Sequence, residues 1–220
     1  SAALAVNTGG QNTAVGYGAL DANTTASYNV AIGKDALGAN TTGDRNTAIG
    51  LQALNTNTVG DRSVAVGYSA LYTQNPASNA DMGNVAIGNL SMYSTTTGTN
   101  NTGVGFNSMF ANTTGAGNVA LGYGALDSNT TASNNTAVGN NALTANTTGS
   151  DNVAVGDYAL YNNTTASNNT ALGSDALIAN TTGANNTAVG AIAGDAITTG
   201  DRNTAVGYSS LSTATTADYN

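Results

Sequence analysis

The hydrophobic and polar positions of the chain recur with a fixed period. An Ala-aliphatic-Gly motif marks each repeat, and in one copy Gly replaces the Ala. The motif glycines are Gly16, Gly33, Gly50, Gly67, Gly88, Gly105, Gly122, Gly139, Gly156, Gly173, Gly190 and Gly207. They lie 17 residues apart, except that Gly67 and Gly88 lie 21 apart. Twelve repeats therefore run from Asn12 to Tyr219, and such periodicity indicates a repeat architecture.

We number each repeat from position 1, which is Asn in eleven copies, to position 17. Position 2 is always Thr or Val, position 3 is Ala except for Gly103, and position 4 is aliphatic. This alternation predicts a short β-strand, because side chains two residues apart share a face. We expect positions 2 and 4 to face the interior and the Ala of position 3 to lie on the other face.

The glycine at position 5 ends this strand, where a left-handed backbone or a very close neighbour excludes a side chain. Position 8 is Ala or Ser, and position 9 is Leu or Met except for Gly194. We expect a second short strand around positions 8 to 10, with Leu in the same interior. Asn-Gly and Asp-Gly, the strongest hairpin signals, do not occur in the chain. The sequence therefore predicts an all-β fold, a parallel β-solenoid (β-roll) of twelve 17-residue coils with stacked Asn ladders.

The composition fits a thin core. Leu, Ile, Val and Phe account for 36 of 220 residues, which is too few for an ordinary globular core. A disordered chain usually combines few apolar residues with high charge, but only 16 residues are charged here. Charge repulsion would therefore not keep this chain unfolded. The alanine rows at positions 3 and 8 suit close approach of the opposite side of the same coil or of neighbouring chains around a threefold axis.

The repeats also define the expected domain organisation. Residues 1–11 are expected to form a partial N-terminal coil, and residues 12–219 a single repeat domain of twelve coils. A four-residue insertion lies within residues 74–83, and residue 220 begins a further coil.

Several kinds of chemistry are excluded by absent residues. The chain has no His and no Cys, so it lacks an imidazole base, a thiolate and the usual zinc ligands. Its four cations and net charge of −8 are a poor match for nucleic acid, and no apolar run is long enough to span a membrane. The Gly-rich calcium nonapeptide is missing as well. We expect no metal, no cofactor and no enzymatic activity, because a repeat offers many copies of each residue rather than one catalytic constellation.

The motif Asn-Thr/Val-Ala-aliphatic-Gly, as at 12–16, 29–33 and 84–88, resembles the head repeats of YadA-like trimeric autotransporter adhesins. Segments such as 135–139 and 145–149 are similar to the repeat arrays of phage tail-fibre and bacterial surface-fibre proteins. The resemblance covers nearly the whole chain and implies a left-handed parallel β-roll wound as a trimer. Its period of 17 is longer than that typical of adhesin heads, and neck, anchor and chaperone segments are not seen.

These observations favour a structural segment of an extracellular fibre or adhesin, a rigid rod that presents loops and aromatic rows. Its expected partners are further copies of itself, as a homotrimer or an end-to-end filament, and a cell-surface glycan or protein receptor. Tyr rings offer contact area at low entropic cost, so they are the candidate receptor contacts. At position 6 they are Tyr17, Tyr68, Phe106, Tyr123 and Tyr208, and at position 10 Tyr72, Tyr93, Phe110 and Tyr161.

Two alternatives remain open from the residues alone. One is an ice-binding solenoid that uses a regular threonine ladder at position 13. Its candidate residues are Thr24, Thr41, Thr113, Thr130, Thr147, Thr164 and Thr181. The other is a self-assembling extracellular filament whose coils stack end to end, because uncapped solenoid ends favour stacking.

Overall fold

The computed structural model describes residues 7–220, which form strands and turns without any helix. The expected N-terminal coil of residues 1–11 lies mostly outside the described residues. The strands are β1 (Thr13–Val15), β2 (Val30–Ile32), β3 (Thr47–Ile49), β4 (Gly60–Asp61), β5 (Val64–Val66), β6 (Ala80–Asp81), β7 (Val85–Ile87), β8 (Thr102–Val104), β9 (Val119–Leu121), β10 (Thr136–Val138), β11 (Val153–Val155), β12 (Thr170–Leu172), β13 (Thr187–Val189) and β14 (Thr204–Val206). The prediction of an all-β parallel β-solenoid is confirmed.

The chain divides into two compact units. The first unit ends at Thr114, and the second begins at Gly115. In the first unit the parallel strands follow the order β1-β2-β3-β5-β7-β8, and in the second the order β9 to β14. Paired residues of these strands occupy the same repeat position, as in the pair Ala154 and Ala171, and a separate two-stranded pair joins β4 to β6. Each repeat therefore forms one coil and adds one strand at positions 2 to 4.

The predicted orientation of these strands is wrong. The Ala of position 3 points into the coil and is fully buried, as at Ala31 and Ala154. Positions 2 and 4 point outward, and Val15 and Ile87 at position 4 are 57% and 41% exposed. The interior is formed by Ala of positions 3 and 8, Leu or Met of position 9, and buried amides. Of the two destinations expected for the alanine rows, the interior of the same coil is correct.

The narrow interior explains this orientation. Gly103 replaces Ala at position 3 of one coil, and an added Cβ there would lie 2.9 Å from Cγ of Met92. Beside Met92 the interior thus has no room even for a methyl group, whereas the Ala of the other coils fits and is fully buried, so position 3 accepts at most a methyl group. Close packing of this kind excludes a Val or Ile at position 3, whose larger side chain must remain on the outer face.

The expected second strand at positions 8 to 10 does not form. The residues at positions 7 and 9 have left-handed backbone conformations, as at Asp175 (φ 57°) and Leu177 (φ 52°). Two such residues separated by one position give a turn rather than an extended strand. Coil-to-coil hydrogen bonding nevertheless continues there, since the amide of Leu160 donates to the carbonyl of Ala176 at 3.0 Å. Leu of position 9 is buried, as the sequence predicts.

The glycine of position 5 is required for both of the reasons expected. Its φ lies between 115° and 141° in all twelve copies. A Cβ added to Gly156 would also lie 2.5 Å from the carbonyl carbon of Gly173 in the next coil. Neither condition is compatible with a side chain.

Two columns of buried asparagine hold the coils together. At position 1, Oδ1 of Asn152 accepts a hydrogen bond from the amide of Asn169 (3.0 Å), and its Nδ2 donates to the carbonyl of Ala166 (2.8 Å). At position 12, Nδ2 of Asn163 donates to Oδ1 of Asn146 and to the carbonyl of Ala166, both at 3.0 Å. The predicted amide-to-amide ladder therefore runs along position 12, whereas position 1 bonds mainly to backbone.

One coil departs from the repeat at two coupled positions. Gly194 replaces Leu at position 9, and Ile197 replaces Asn at position 12. Ile197 is buried, and its Cδ1 lies 3.1 Å from the point that a Cβ on Gly194 would occupy. Ile197 thus fills the volume left by the missing Leu. The Asn ladder stops at this coil, and the buried Oδ1 of Asn180 has no hydrogen-bond partner.

We expect these two residues to be strongly coupled energetically. Gly194→Leu alone places a second large side chain in the volume that Ile197 fills, and Ile197→Asn alone leaves a cavity there. Each variant should therefore lose about 2 kcal/mol of unfolding free energy. The double variant restores the repeat consensus and should lose less than either single variant, because the asparagine introduced at position 12 also completes the ladder at Asn180. Urea unfolding followed by circular dichroism measures all three variants. Additive losses in the double variant would contradict the proposed coupling.

Candidate functional site: an aliphatic strand face

The outward side chains of positions 2 and 4 form a surface that we call the strand face. Position 2 contributes Thr13, Val30, Thr47, Val64, Val85, Thr102, Val119, Thr136, Val153, Thr170, Thr187 and Thr204. Position 4 contributes Val15, Ile32, Ile49, Val66, Ile87, Val104, Leu121, Val138, Val155, Leu172, Val189 and Val206. Every residue of the strand face is Thr, Val, Ile or Leu, so the face carries no charge.

The geometry of the strand face is regular within each unit. Because the strands pair in register, equivalent side chains repeat at about 4.8 Å, and the two columns lie about 7 Å apart along the strands. Position 2 is mostly half-buried and position 4 is half-buried to exposed, with Val206 reaching 67% exposure. A strip about 10 Å wide over six strands covers on the order of 300 Å² per unit. That is about the size of the largest apolar patch on a typical monomer, and such a patch is often functional.

Sequence reasoning missed this surface because it assigned these side chains to the interior. One signal could have identified it. Position 3 is uniformly small, as an interior of fixed volume requires, whereas position 4 varies among Val, Ile and Leu. Such variation in side-chain volume is tolerated at a surface more readily than in a packed core.

The aromatic residues of position 6 follow the strand face along the chain. All five are exposed, from 42% at Phe106 to 78% at Tyr208. Their rings are therefore accessible from solvent, as a receptor contact requires, although they do not form a continuous row.

The aromatic residues of position 10 are half-buried and already pack within the chain. Tyr72, Tyr93 and Phe110 form a stack with ring centroids 5.2 Å and 5.3 Å apart. Tyr161 meets Tyr158 edge-on at 5.2 Å. Stacked rings present their edges rather than their faces, so this row is less suited to receptor contact than position 6.

The threonines of position 13 use their hydroxyl groups within the coil stack. Oγ1 of Thr147 donates to the carbonyl of Thr164 at 3.0 Å, and Oγ1 of Thr181 donates to Thr198 at 3.1 Å. Equivalent bonds are made by Thr24, Thr41, Thr130 and Thr164. Thr113 is half-buried at the same position. The hydroxyls of this candidate ice-binding ladder are therefore directed at neighbouring backbone.

The four cations do not belong to the strand face, and each has a partner of its own. Arg62 forms an ion pair with Asp81, and Lys34 approaches Asp35 at 3.6 Å. Arg45 and Arg202 lie over the rings of Tyr28 and Tyr219, 5.8 Å and 5.1 Å from the centroids. Positive charge on this chain is thus confined to the turns.

Two aspartates are held in unfavourable surroundings. Burial raises the pKa of Asp61, and the nearby carboxylates of Asp44 and Asp81 raise it further against the opposing hydrogen bond from the Asp44 amide and the charge of Arg45. Burial also raises the pKa of Asp127, whose Oδ1 has no hydrogen-bond partner. Both carboxyl groups are therefore easier to protonate in the folded chain than in the unfolded chain.

We expect this chain to gain stability on mild acidification. Above the raised folded-state pKa values, the buried charges of Asp61 and Asp127 are destabilising. That destabilisation is relieved as pH falls toward the ordinary pKa of 3.8, because the folded state then binds protons in preference. Thermal melting between pH 7 and about pH 4 measures the effect. The double variant Asp61→Asn, Asp127→Asn should show a flatter pH profile, and an unchanged slope would contradict this assignment.

Other kinds of site are not found in the part of the chain that the structure describes. Residues 7–220 contain no pocket and no group of three or more acidic side chains placed to share a metal ion. They also contain no helix of a length and hydropathy suited to crossing a membrane. Comparison of the chain with protein-family models, with characterised proteins and with solved structures gives no match.

Proposed function

We propose that the chain is a structural segment of an extracellular fibre or adhesin, in which the strand faces of identical chains pack against one another. The observation that carries this proposal is the uncharged strand face of an otherwise acidic chain, which consists of Val, Ile, Leu and Thr alone. Net charge of −8 makes identical chains repel each other, and an uncharged face is the surface through which they approach with the least repulsion. Burying that face also removes apolar surface from water.

A homotrimer is the assembly that we propose. The strand faces of the two units add to roughly 600 Å² per chain, which is less than the about 800 Å² per partner of a standard pairwise interface. A narrow face suits three chains that meet around a shared axis, since the strand face of each unit then contributes one strip to a core that it shares with the equivalent units of the other two chains. The resemblance to trimeric adhesin heads supports the same arrangement.

In this proposal the remaining surface serves attachment. The exposed aromatics of position 6 are then the contacts for a cell-surface glycan or protein receptor, because Tyr combines an apolar ring with a hydroxyl. Each of these rings lies in the turn that directly follows a strand.

Light scattering of the purified chain tests the assembly. We expect three times the chain mass for the unmodified protein and a single chain for the variant Val155→Lys, Val189→Lys, which places two charges on the strand face. Both valines are 36% exposed, so the variant should fold, and circular dichroism verifies this. Thr148→Lys, at an exposed residue away from the face, is the matched control and should remain trimeric. A monomeric unmodified chain would refute the proposal, and long fibres in negative-stain images would favour the end-to-end filament.

Ice binding is a second candidate, and the regularity of the strand face favours it more than the threonine ladder does. Thr170, Thr187 and Thr204 of position 2 lie in consecutive coils beside the aliphatics of position 4. Such a rigid array of methyl and hydroxyl groups can order water at fixed spacing. Thermal hysteresis that disappears in the variant Val155→Lys, Val189→Lys would support this function. A trimer without ice shaping would support the fibre function instead.

A further inference from the structure

The repeat creates two sets of Asn-X-Thr sequence, the acceptor signal for N-linked glycosylation. We call the first set the buried sequons, whose asparagine occupies position 12. They begin at Asn23, Asn40, Asn112, Asn129, Asn146, Asn163 and Asn180. We call the second set the exposed sequons, whose asparagine occupies position 17. They begin at Asn100, Asn134, Asn168 and Asn185. Isolated Asn-X-Ser/Thr sequences at Asn89 and Asn162 belong to neither set.

The acceptor nitrogen of the buried sequons is fully used by the fold. Asn146, Asn163 and Asn180 have no exposed surface. Nδ2 of Asn146 donates both protons, to Oδ1 of Asn129 at 3.1 Å and to the carbonyl of Gly149 at 2.9 Å. Asn180 does the same toward Asn163 and Gly183, at 3.0 Å and 2.9 Å. The interior around these amides is the narrow one that admits only a methyl group at position 3.

N-glycosylation requires an amide nitrogen that can lose a proton and space for a sugar, and the buried sequons provide neither. The reaction forms a bond between Nδ2 and the C1 atom of the sugar, breaks the bond between C1 and a phosphate oxygen of the donor, and releases one amide proton to a base. The product retains one N–H, so one of the two hydrogen bonds is lost. The sugar also requires a volume that the coil interior lacks, so modification and closure of the coil exclude each other.

The asparagines of the exposed sequons, in contrast, lie at the surface. Asn134, Asn168 and Asn185 are exposed, with left-handed φ values of 60°, 62° and 60°. Within the described chain their side-chain amides donate no hydrogen bond, while their backbone amides bond to the preceding coil. They lie two residues before the first residue of each strand, in a turn whose backbone is held in place.

We propose that folding sorts these sequences into two classes of acceptor for an activated sugar, either nucleotide-linked or lipid-linked. The exposed sequons are acceptors in the folded chain. The buried sequons are acceptors only before folding, and a sugar on any of them prevents its coil from closing. The chain is therefore compatible with N-glycosylation only where folding precedes sugar transfer. This inference does not depend on the proposed function of the strand face.

A glucosylation experiment on folded and urea-unfolded protein tests the inference. The probe is UDP-glucose with a soluble N-glucosyltransferase that recognises Asn-X-Ser/Thr, and peptide mass spectrometry locates the sugar. We expect glucose on Asn134, Asn168 and Asn185 in the folded protein, and on both sets in the unfolded protein. After removal of urea and enzyme, molecules modified at position 12 should fail to refold.

A variant without buried sequons provides the matched control. In this variant the threonine that forms the third residue of each buried sequon is replaced by valine. These threonines are exposed, and valine keeps the β-branched shape of the side chain. These residues are Thr25, Thr42, Thr114, Thr131, Thr148, Thr165 and Thr182. Treated while unfolded, this variant should refold with glucose on position 17. Glucose on position 12 of the folded protein, refolding of chains modified there, or absence of glucose from position 17 of the folded protein would each overturn the inference.

Discussion

Gly156→Ala is expected to lower the free energy of unfolding by about 3 kcal/mol or more. At φ 139° the backbone of Gly156 lies in a region that L-residues rarely adopt. The new methyl group would also lie 2.5 Å from the carbonyl carbon of Gly173, which cannot move without disturbing the next coil. Urea unfolding followed by circular dichroism measures the loss. Amide hydrogen exchange should show strands β11 and β12 opening together.

Gly207→Ala separates the two causes of this loss. Gly207 occupies the same repeat position with φ 115°, but a Cβ on it would meet no atom within 4 Å. This variant therefore carries the backbone strain without the coil-to-coil collision, and it should lose about 1–2 kcal/mol. Equal losses in the two variants would show that backbone conformation alone, and not coil stacking, makes position 5 glycine.

Asn152→Ala is expected to cost a comparable amount, about 2–4 kcal/mol, by a different mechanism. The variant leaves the amide of Asn169 without a partner inside the solenoid, and the carbonyl of Ala166 keeps only the hydrogen bond that it accepts from Nδ2 of Asn163. An unsatisfied buried polar group is costly, whereas the loss of the small side-chain volume adds little. Asn140→Ala, at an exposed residue one coil earlier, is the control and should be close to neutral. A loss below 1 kcal/mol for Asn152→Ala would contradict the role of position 1 in closing the coil.

The chain contains its own compensation for this change. Ser63 replaces Asn at position 1 of one coil, and Gln74 replaces Asn at position 12 of the same coil. Nε2 of Gln74 donates to Oγ of Ser63 at 3.0 Å, and Oε1 of Gln74 accepts from Asn84 at 2.9 Å. The longer amide thus reaches across the space that the shorter hydroxyl leaves. We expect Asn152→Ser, Asn163→Gln to be more stable than Asn152→Ser alone, and a double variant no better than the single would reject this compensation.

Local sequence rules explain how much of the fold could be predicted. The period, the strand at positions 2 to 4 and the glycine of position 5 all follow from local alternation and backbone conformation. The orientation of that strand does not, because alternation groups positions 2 and 4 without showing which face is interior. The hydrophobicity of Val15 and Ile87 wrongly predicted that they are buried. The volume available beside the Leu of position 9, and not the apolar area of a side chain, decides which residue lies in the interior.

The turn at positions 7 to 9 could not have been predicted in the same way. Leu of position 9 adopts φ between 48° and 55°, a region that non-glycine residues avoid unless the surrounding structure holds them there. Leucine therefore gives no local signal for this conformation. The candidate site was missed for a related reason, because it depends on which side of the strand the interior occupies.

The four-residue insertion within residues 74–83 has a consequence for how this chain can change. Val64 and Val85 pair in register although 21 residues separate them, and the lengthened segment contains strand β6, which pairs with β4 of the preceding coil. Added residues between positions 12 and 17 therefore leave the strands of positions 2 to 4 undisturbed. Sequence and length can therefore vary in evolution at positions 12 to 17 while the strands of positions 2 to 4 stay constant. For the same reason, a protein engineer can insert a foreign peptide between positions 12 and 17 without redesigning the scaffold.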